Sequence, residues 1–191
     1  MKSQPVNVCV LLFPGVEELD FVGPWEVLAC TSKVSPPGCR VFSVAESTEP
    51  IEAANGLLVV PHFDLTEAPR MDLLIVPGGP GVAAVIECRP LTEFVRKSAA
   101  HAQITASVCT GAFILERAGL LRGRRATTHA SALGRLGDCP GVTAVSQRWV
   151  DEGEIVTSAG VSAGIDMAIH LVARLFDRAT GEAVRRRLEL A

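Results

Sequence analysis

The sequence predicts an α/β fold with a parallel sheet covered by helices on both faces, and three observations predict it. Residues 6–13 and 72–76 are nearly continuous apolar runs of strand length, the pattern of strands buried on both faces of a parallel sheet. Such runs alternate along the chain with segments of helical periodicity. At residues 104–121 (ITASVCTGAFILERAGLL) one strand turns at once into a helix, with Cys109 at the junction.

The elements follow in order. The first strand, residues 6–13, ends at Pro14-Gly15. Residues 18–29 read as a helix interrupted near its start by Gly23-Pro24. A second strand covers residues 39–45. A third covers residues 57–61 after the turn residues Asn55-Gly56. Residues 72–76 (DLLIV) form another central strand, followed by Pro77-Gly78-Gly79-Pro80-Gly81. A helix spans residues 90–102. The strand at residues 104–108 and its helix come next. Short strands are expected at residues 142–145, 147–150 and 154–157. A long helix at residues 162–176 and a shorter one at 180–188 close the chain. No repeat, low-complexity stretch or linker divides residues 1–191, so one domain is expected.

With 48% hydrophobic residues, the 191-residue chain can fill a core, and its net charge of −3 carries no basic block. The arginine clusters at 122–125 and 185–187 follow helical segments, where cations complement the helix dipole. Nucleic-acid binding is therefore not indicated. The six cysteines include no C-x-x-C pair and no zinc spacing. The opening MKSQPVNVCVLLF is not a signal peptide, and no apolar run has the length of a membrane span. A cytoplasmic protein with reduced thiols is expected.

Cys109 is the leading candidate for chemistry. A cysteine pushed out where a strand becomes a helix has the geometry of a nucleophile elbow. The helix N-terminus beneath it would favour thiolate, the nucleophilic form. The plainer alternative is a buried structural cysteine. Open α/β sheets bind ligands beyond the carboxyl ends of their strands, and three unusual loops leave such ends: residues 14–24, 77–81 and the Cys109 elbow. The 77–81 segment lacks dinucleotide-fingerprint spacing, and no helix is expected directly after it. Its glycines could instead present N–H groups to developing negative charge, with Gly79 the candidate donor; a plain tight turn is the alternative. Among Glu17, Glu18 and Asp20, the first two suit a helix N-terminus. Asp20 lies between Leu19 and Phe21, and partial burial beside a thiolate would raise its pKa and make it a proton donor. His129, taken alone, reads as structural or surface. His170, between Asp166 and Arg174 at helical spacing, reads as a charge ladder.

These motifs together resemble the ThiJ/PfpI superfamily of class I glutamine-amidotransferase-like proteins, nearly end to end. GVEELDxxGP resembles the segment carrying that family's acid, at Asp20. PGGPG resembles its oxyanion loop, SVCTGAFILERAGLL its nucleophile elbow, and RATTHA the segment carrying its histidine, at His129. Within the superfamily, LLFPGVEELDFVGPWEVL, SVCTGAFILERAGLLRGRRATTH and SAGVSAGIDMA look most like the isonitrile hydratase subgroup. Asp20 and Thr110, directly after the cysteine, both fit that subgroup. The ligand domains of AraC-type regulators share these patterns, but their helix-turn-helix domain is not expected here. One departure is Ala130, where relatives often carry Trp; a larger pocket beside His129 is expected.

The resemblance implies a flavodoxin-like three-layer sandwich, a homodimer, a small-molecule substrate, and no metal or organic cofactor. It implies hydration of an isonitrile to an N-substituted formamide. Cys109 would attack the isonitrile carbon, Asp20 would deliver a proton to it, and Thr110 with Asp20 would position the water that attacks the thioimidate. Gly78, Gly79 and His129 would complete the substrate-binding set. Two alternatives stand beside this reading. One is glyoxalase- or deglycase-type chemistry on a 2-oxoaldehyde, which needs His129 near Cys109. The other is a non-catalytic small-molecule or redox sensor, with Cys109 oxidised and held by Asp20.

Overall fold

The computed structural model describes residues 4–190. Strand β1 (Val6–Leu11) leads into helix α1 (Glu18–Val34), and β2 (Cys39–Ala45) follows. β3 (Ile51–Glu52) and β4 (Leu58–Val59) form a small antiparallel pair of their own. β5 (Phe63–Asp64), β6 (Leu73–Val76), α2 (Val82–Glu87), α3 (Arg89–Ala99), β7 (Ile104–Val108) and α4 (Gly111–Arg117) come next. β8 (Arg125–Ala126), α5 (Leu133–Gly137) and β9 (Thr143–Ala144) fill the connection to β10 (Trp149–Asp151) and β11 (Ile155–Ser158). Helices α6 (Ala163–Leu175) and α7 (Arg178–Arg187) complete the order.

Seven strands form the main sheet in the order β10-β11-β7-β6-β1-β2-β5. All its pairings are parallel except β10 with β11 at one edge. The central strands are apolar because both faces are covered. Every residue of β6 and β7 is buried. Helices α1, α6 and α7 pack on one another and take one face, while α2, α3 and α4 do the same on the other. This is the three-layer α/β arrangement that the strand–helix alternation predicts.

The topology places the site. From β1 the chain crosses to β2 on one side, then returns to β6 on the other side of β1. The crossovers from β1 and β6 therefore run in opposite directions along the sheet, and the carboxyl ends at such a switch in strand order are the usual ligand position in these sheets. The β7 elbow lies beside it.

Four expectations change in three dimensions. Helix α1 runs unbroken through Pro24 for 17 residues. Pro24 offers no N–H to the helix, but this stretch packs on α6: a Cβ on Gly23 would lie 2.9 Å from Ile165 Cγ1, and one on Gly164 3.4 Å from Pro24 Cγ. The helix-to-helix contact outweighs the lost hydrogen bond. The third strand expected, residues 57–61, is only β4, paired with β3 and outside the main sheet, because Leu58 and Val60 are 68% and 63% exposed. The edge of the main sheet is taken instead by β5, too short to show a pattern. The 77–81 loop does run directly into a helix, α2, whose N-cap is Gly81.

Leu74 lies at the middle of the sheet with no exposed surface, paired with Cys9 and Thr105 on its two flanks. Leu74→Ala should lower unfolding free energy by about 2–5 kcal/mol in a urea titration, since neither face can collapse onto the void.

Candidate active site

The loops after β1 and β6 are laced together by their backbones. Glu17 N–H donates to Gly78 O at 2.9 Å, and Gly81 N–H donates to Gly15 O at 3.1 Å. Ahead of them, Asn55 donates its backbone N–H and its side-chain amide to the Glu18 carboxylate at 2.7 and 2.6 Å, and the amide also reaches Glu17. Glu17 and Glu18 thus do more than meet a helix dipole: they dock the β3–β4 hairpin against the site. The start of α1 carries Asp20 inward to complete burial.

Gly78 sits where no side chain fits. A Cβ there would lie 2.6 Å from Thr110 Oγ1, 2.7 Å from Thr110 N and 2.9 Å from Asp20 Oδ2. Its N–H donates to Asp20 Oδ2 at 3.0 Å, and the Gly79 N–H donates to Thr110 Oγ1 at 3.0 Å. The two glycine N–H groups expected to face substrate are therefore occupied. They hold the acid and the threonine instead, and Gly78 does not reach the cavity wall while Gly79 does.

Cys109 has φ +57°, the left-handed conformation that defines an elbow and that a non-glycine residue adopts only under constraint. The constraint is visible. Its N–H is shared between Ser158 O (3.1 Å) and Ala159 O (3.2 Å), and its carbonyl accepts from Thr128 Oγ1 at 2.8 Å. Thr128 is a site residue that sequence reasoning missed; its only signal was adjacency to His129. Gly111 completes the turn, since a Cβ there would lie 2.2 Å from Val76 O.

The electrostatics reverse one expectation. Burial pushes the Cys109 thiol up to about 11, and the Asp20 carboxylate beside it pushes the same way; the Thr110 and Val161 N–H groups and the Thr110 side chain oppose both. The helix N-terminus was expected to lower this thiol. Helix α4 is only seven residues long, and desolvation plus a neighbouring acid outweigh it. Burial likewise pushes Asp20 up to about 6, despite the opposing Gly78 N–H. Asp20 Oδ1 is buried with no hydrogen-bond partner of ordinary geometry. Two anions side by side without water repel, so the pair retains one proton at neutral pH.

Cys109, Thr110 and Gly79 open into a cavity of about 670 Å³, with Asp20 beneath them. His129 lines it too. Its Nδ1 bonds Ser131 Oγ at 2.8 Å, and its ring presses on Gly160, where a Cβ would lie 2.3 Å from His129 Cδ2. Several lining residues were not foreseen as such: Glu17, Val161, Phe113, Arg135 and Cys139. The Arg135 guanidinium sits 3.9 Å above the Phe113 ring, a cation–π contact across part of the wall. Its place follows from α5, an element with no hydrophobic pattern to announce it. His170 is drawn away from the site to Asp151 of β10 at 2.6 Å, where Arg174 joins it; Asp166 pairs with Arg148 and Arg185 instead. No cluster of three or more His, Cys, Asp or Glu able to hold a metal occurs among the described residues. No helix among them is long and apolar enough to cross a membrane.

Comparison with known proteins places this geometry. The DJ-1/PfpI family model matches residues 6–174. The chain belongs to the DJ-1/PfpI family. It is 39% identical over 189 residues to the isonitrile hydratase of Pseudomonas putida, covering 97% of this chain and 79% of that protein. It is 25% identical over 177 residues to a glutathione-independent glyoxalase of Caenorhabditis elegans, covering 92% and 91%. A crystal structure of a ThiJ/PfpI family protein from Pseudomonas syringae superposes with a TM-score of 0.88 at 32% identity, covering 98% of this chain and 76% of that one. The strand order of this family member, with β1 between β2 and β6, is the flavodoxin-like one.

The raised acid has a thermodynamic signature. Burial raises Asp20 from the ordinary carboxyl value of 3.8 to about 6 in the folded chain, so between those values the folded chain keeps a proton that the unfolded chain releases. Stability therefore falls as pH rises through that window. Asp20→Asn should be more stable than wild type above pH 6, by about 2 kcal/mol, and the difference should close below pH 4 in parallel urea titrations. The same substitution removes the neighbouring charge from Cys109. The midpoint of Cys109 alkylation by iodoacetamide, followed by peptide mass mapping, should move down relative to wild type.

Proposed function

We propose that this protein hydrates isonitriles to N-substituted formamides, with Cys109 as nucleophile. The observation that carries the reading is the buried Asp20 carboxyl beside the buried Cys109 thiol, each pushed toward its neutral form. An isonitrile carbon is an unusual electrophile. It accepts a nucleophile and a proton at the same atom, so both must come from neighbouring groups. A thiol and a carboxyl group in contact at the floor of a cavity supply that arrangement.

The reaction balances without a cofactor. The Asp20 carboxylate takes the Cys109 thiol proton as the sulfur bonds to the isonitrile carbon. The carbon lone pair then takes that proton from Asp20, giving a thioimidate, Cys109–S–CH=N–R. Thr110 Oγ1 already accepts from Gly79 N–H. Its remaining lone pair and its O–H orient a water against the thioimidate carbon, with the Asp20 carboxylate as base. Asp20 passes the proton taken from water to the nitrogen, then takes the hydroxyl proton as the tetrahedral intermediate expels the sulfur, and returns it to the thiol. The sum is R–NC plus water to R–NH–CHO. The Thr110 N–H at the start of α4 stabilises negative charge on sulfur as the bond breaks.

The similarity to the isonitrile hydratase supports this substrate class. A second reading, turnover of 2-oxoaldehydes, draws on the similarity to the glyoxalase and on His129 in the cavity wall. It requires a base to move a proton between two substrate carbons. In this structure the His129 side chain is bonded to Ser131 and braced on Gly160. That posture fixes the ring in the cavity wall through Nδ1, and this second reading would need Nε2 as the base.

The test is a substrate panel of cyclohexyl isocyanide and methylglyoxal. Wild type should form N-cyclohexylformamide. Cys109→Ala should form none, and Asp20→Asn should lose at least about 100-fold in kcat, because its thiol is more ionised but has no proton to deliver. His129→Ala should keep hydration within about tenfold. Methylglyoxal turnover that exceeds hydration and collapses in His129→Ala would replace this reading with the second one.

A further inference from the structure

Val161 is the other strained residue at the site. It is β-branched with φ +49°, in the left-handed region that such a side chain disfavours. It lines the same cavity wall as Cys109, and its N–H favours the charged forms of the Cys109 thiol and the Asp20 carboxyl. A conformation of this kind persists only where the surroundings impose it. On one side the loop is held by the elbow, since Ser158 O and Ala159 O accept from Cys109 N–H, and by His129, whose ring covers Gly160. On the other side a single residue, Arg148, holds it at three points. The Arg148 carbonyl accepts from Ala159 N–H at 3.0 Å. Its guanidinium donates to Ser162 O at 3.4 Å and forms an ion pair with Asp166 in the first turn of α6. Val161 lies between those anchors, with its own carbonyl accepting from Gly164 N–H as α6 begins.

We propose that Arg148 is a positioning residue for the nucleophile: by tying the 159–162 loop to the N-terminus of α6, it keeps Ala159 on the Cys109 backbone and Val161 beside Cys109 in the cavity wall. The proposal rests on Cys109 being the reactive thiol, not on the identity of the substrate. Arg148 reaches the site through the 159–162 loop. Its half-exposed pairing with Asp166 adds little to global stability, so its effect is local. Arg185 is a second, more distant cation at Asp166, 3.7 Å away. The opposite end of β10 provides a control. Asp151 pins that strand to α6 through His170 and Arg174, without touching the 159–162 loop.

The experiment is the pH profile of Cys109 alkylation by iodoacetamide in wild type, Arg148→Ala, Arg148→Lys, Asp166→Asn and Asp151→Asn, with isonitrile hydration assayed alongside. Losing a hydrogen bond to the thiolate raises the pKa, so Arg148→Ala should move the midpoint up by roughly half a pH unit or more. It should also lower kcat with KM little changed. Arg148→Lys should recover part of both, because an ammonium can still pair with Asp166. Asp166→Asn should shift the midpoint the same way by less, and it keeps the test alive should Arg148→Ala not fold. Asp151→Asn should match wild type. A wild-type midpoint in folded Arg148→Ala would overturn the proposal. So would an equal shift in Asp151→Asn, which would mean that loosening the edge strand is enough. Absence of hydration in wild type would sink the proposed function but leave the alkylation test intact.

Discussion

The proposed chemistry depends on burying the Asp20 carboxyl beside the Cys109 thiol. Each group is buried, and each is pushed toward its neutral form by that burial. Neither can ionise without regard to the other. A free thiolate beside a free carboxylate would be held in a poorly solvated place with no cation in the pair, so the shared proton is the stable arrangement. It is also the arrangement with latent reactivity. Passing that proton to a substrate atom releases the sulfur to bond at the same moment. A helix N-terminus alone would give a different site, with an acidic thiol and no proton beside it.

The scaffold around the pair is built to tolerate this cost. Cys109 and Val161 both occupy the left-handed region, and each is fixed by backbone hydrogen bonds from segments remote in sequence. Gly78 and Gly79 spend their N–H groups on Asp20 and Thr110 rather than on a ligand. That choice matters for the reaction class. Acyl transfer needs vacant donors for an oxyanion. Addition at an isonitrile carbon creates no oxygen anion in its first step, and it needs a proton instead. A loop whose donors hold an acid and a hydroxyl fits the proposed addition better than acyl transfer.

The rest of the cavity sets what can enter. Its wall combines apolar residues of α2 and α4 with the Arg135–Phe113 stack, Glu17 at the start of α1, and His129. Charge of both signs therefore borders an otherwise hydrophobic space directly above the sulfur. Ala130 is exposed beside His129, whose ring is bonded to Ser131 and packed on Gly160.

What the sequence determined by itself is everything set by local pattern. The apolar runs of β1, β6 and β7 declare a sheet buried on both faces, because such strands have no polar side to show. The Cys109 elbow is legible because strand, small turn residues and helix adjoin in one segment. Asp20 was legible as a partly buried acid from its apolar neighbours, and His129 only from the segment around it. The tertiary structure decided what depends on distant neighbours. Pro24 stays inside α1 because α6 packs against it, which no local propensity records. Short α2 and β5 exist because the sheet and its crossovers support them, and too few residues carry a periodicity. The direction of the Cys109 shift was set by burial and by a carboxylate arriving from 89 positions earlier in the chain, and those overcame the one influence the sequence did contain, a helix N-terminus. Thr128, Val161 and Arg148 enter for the same reason. Backbone and side-chain hydrogen bonds between distant loops are made only once the sheet has brought those loops together.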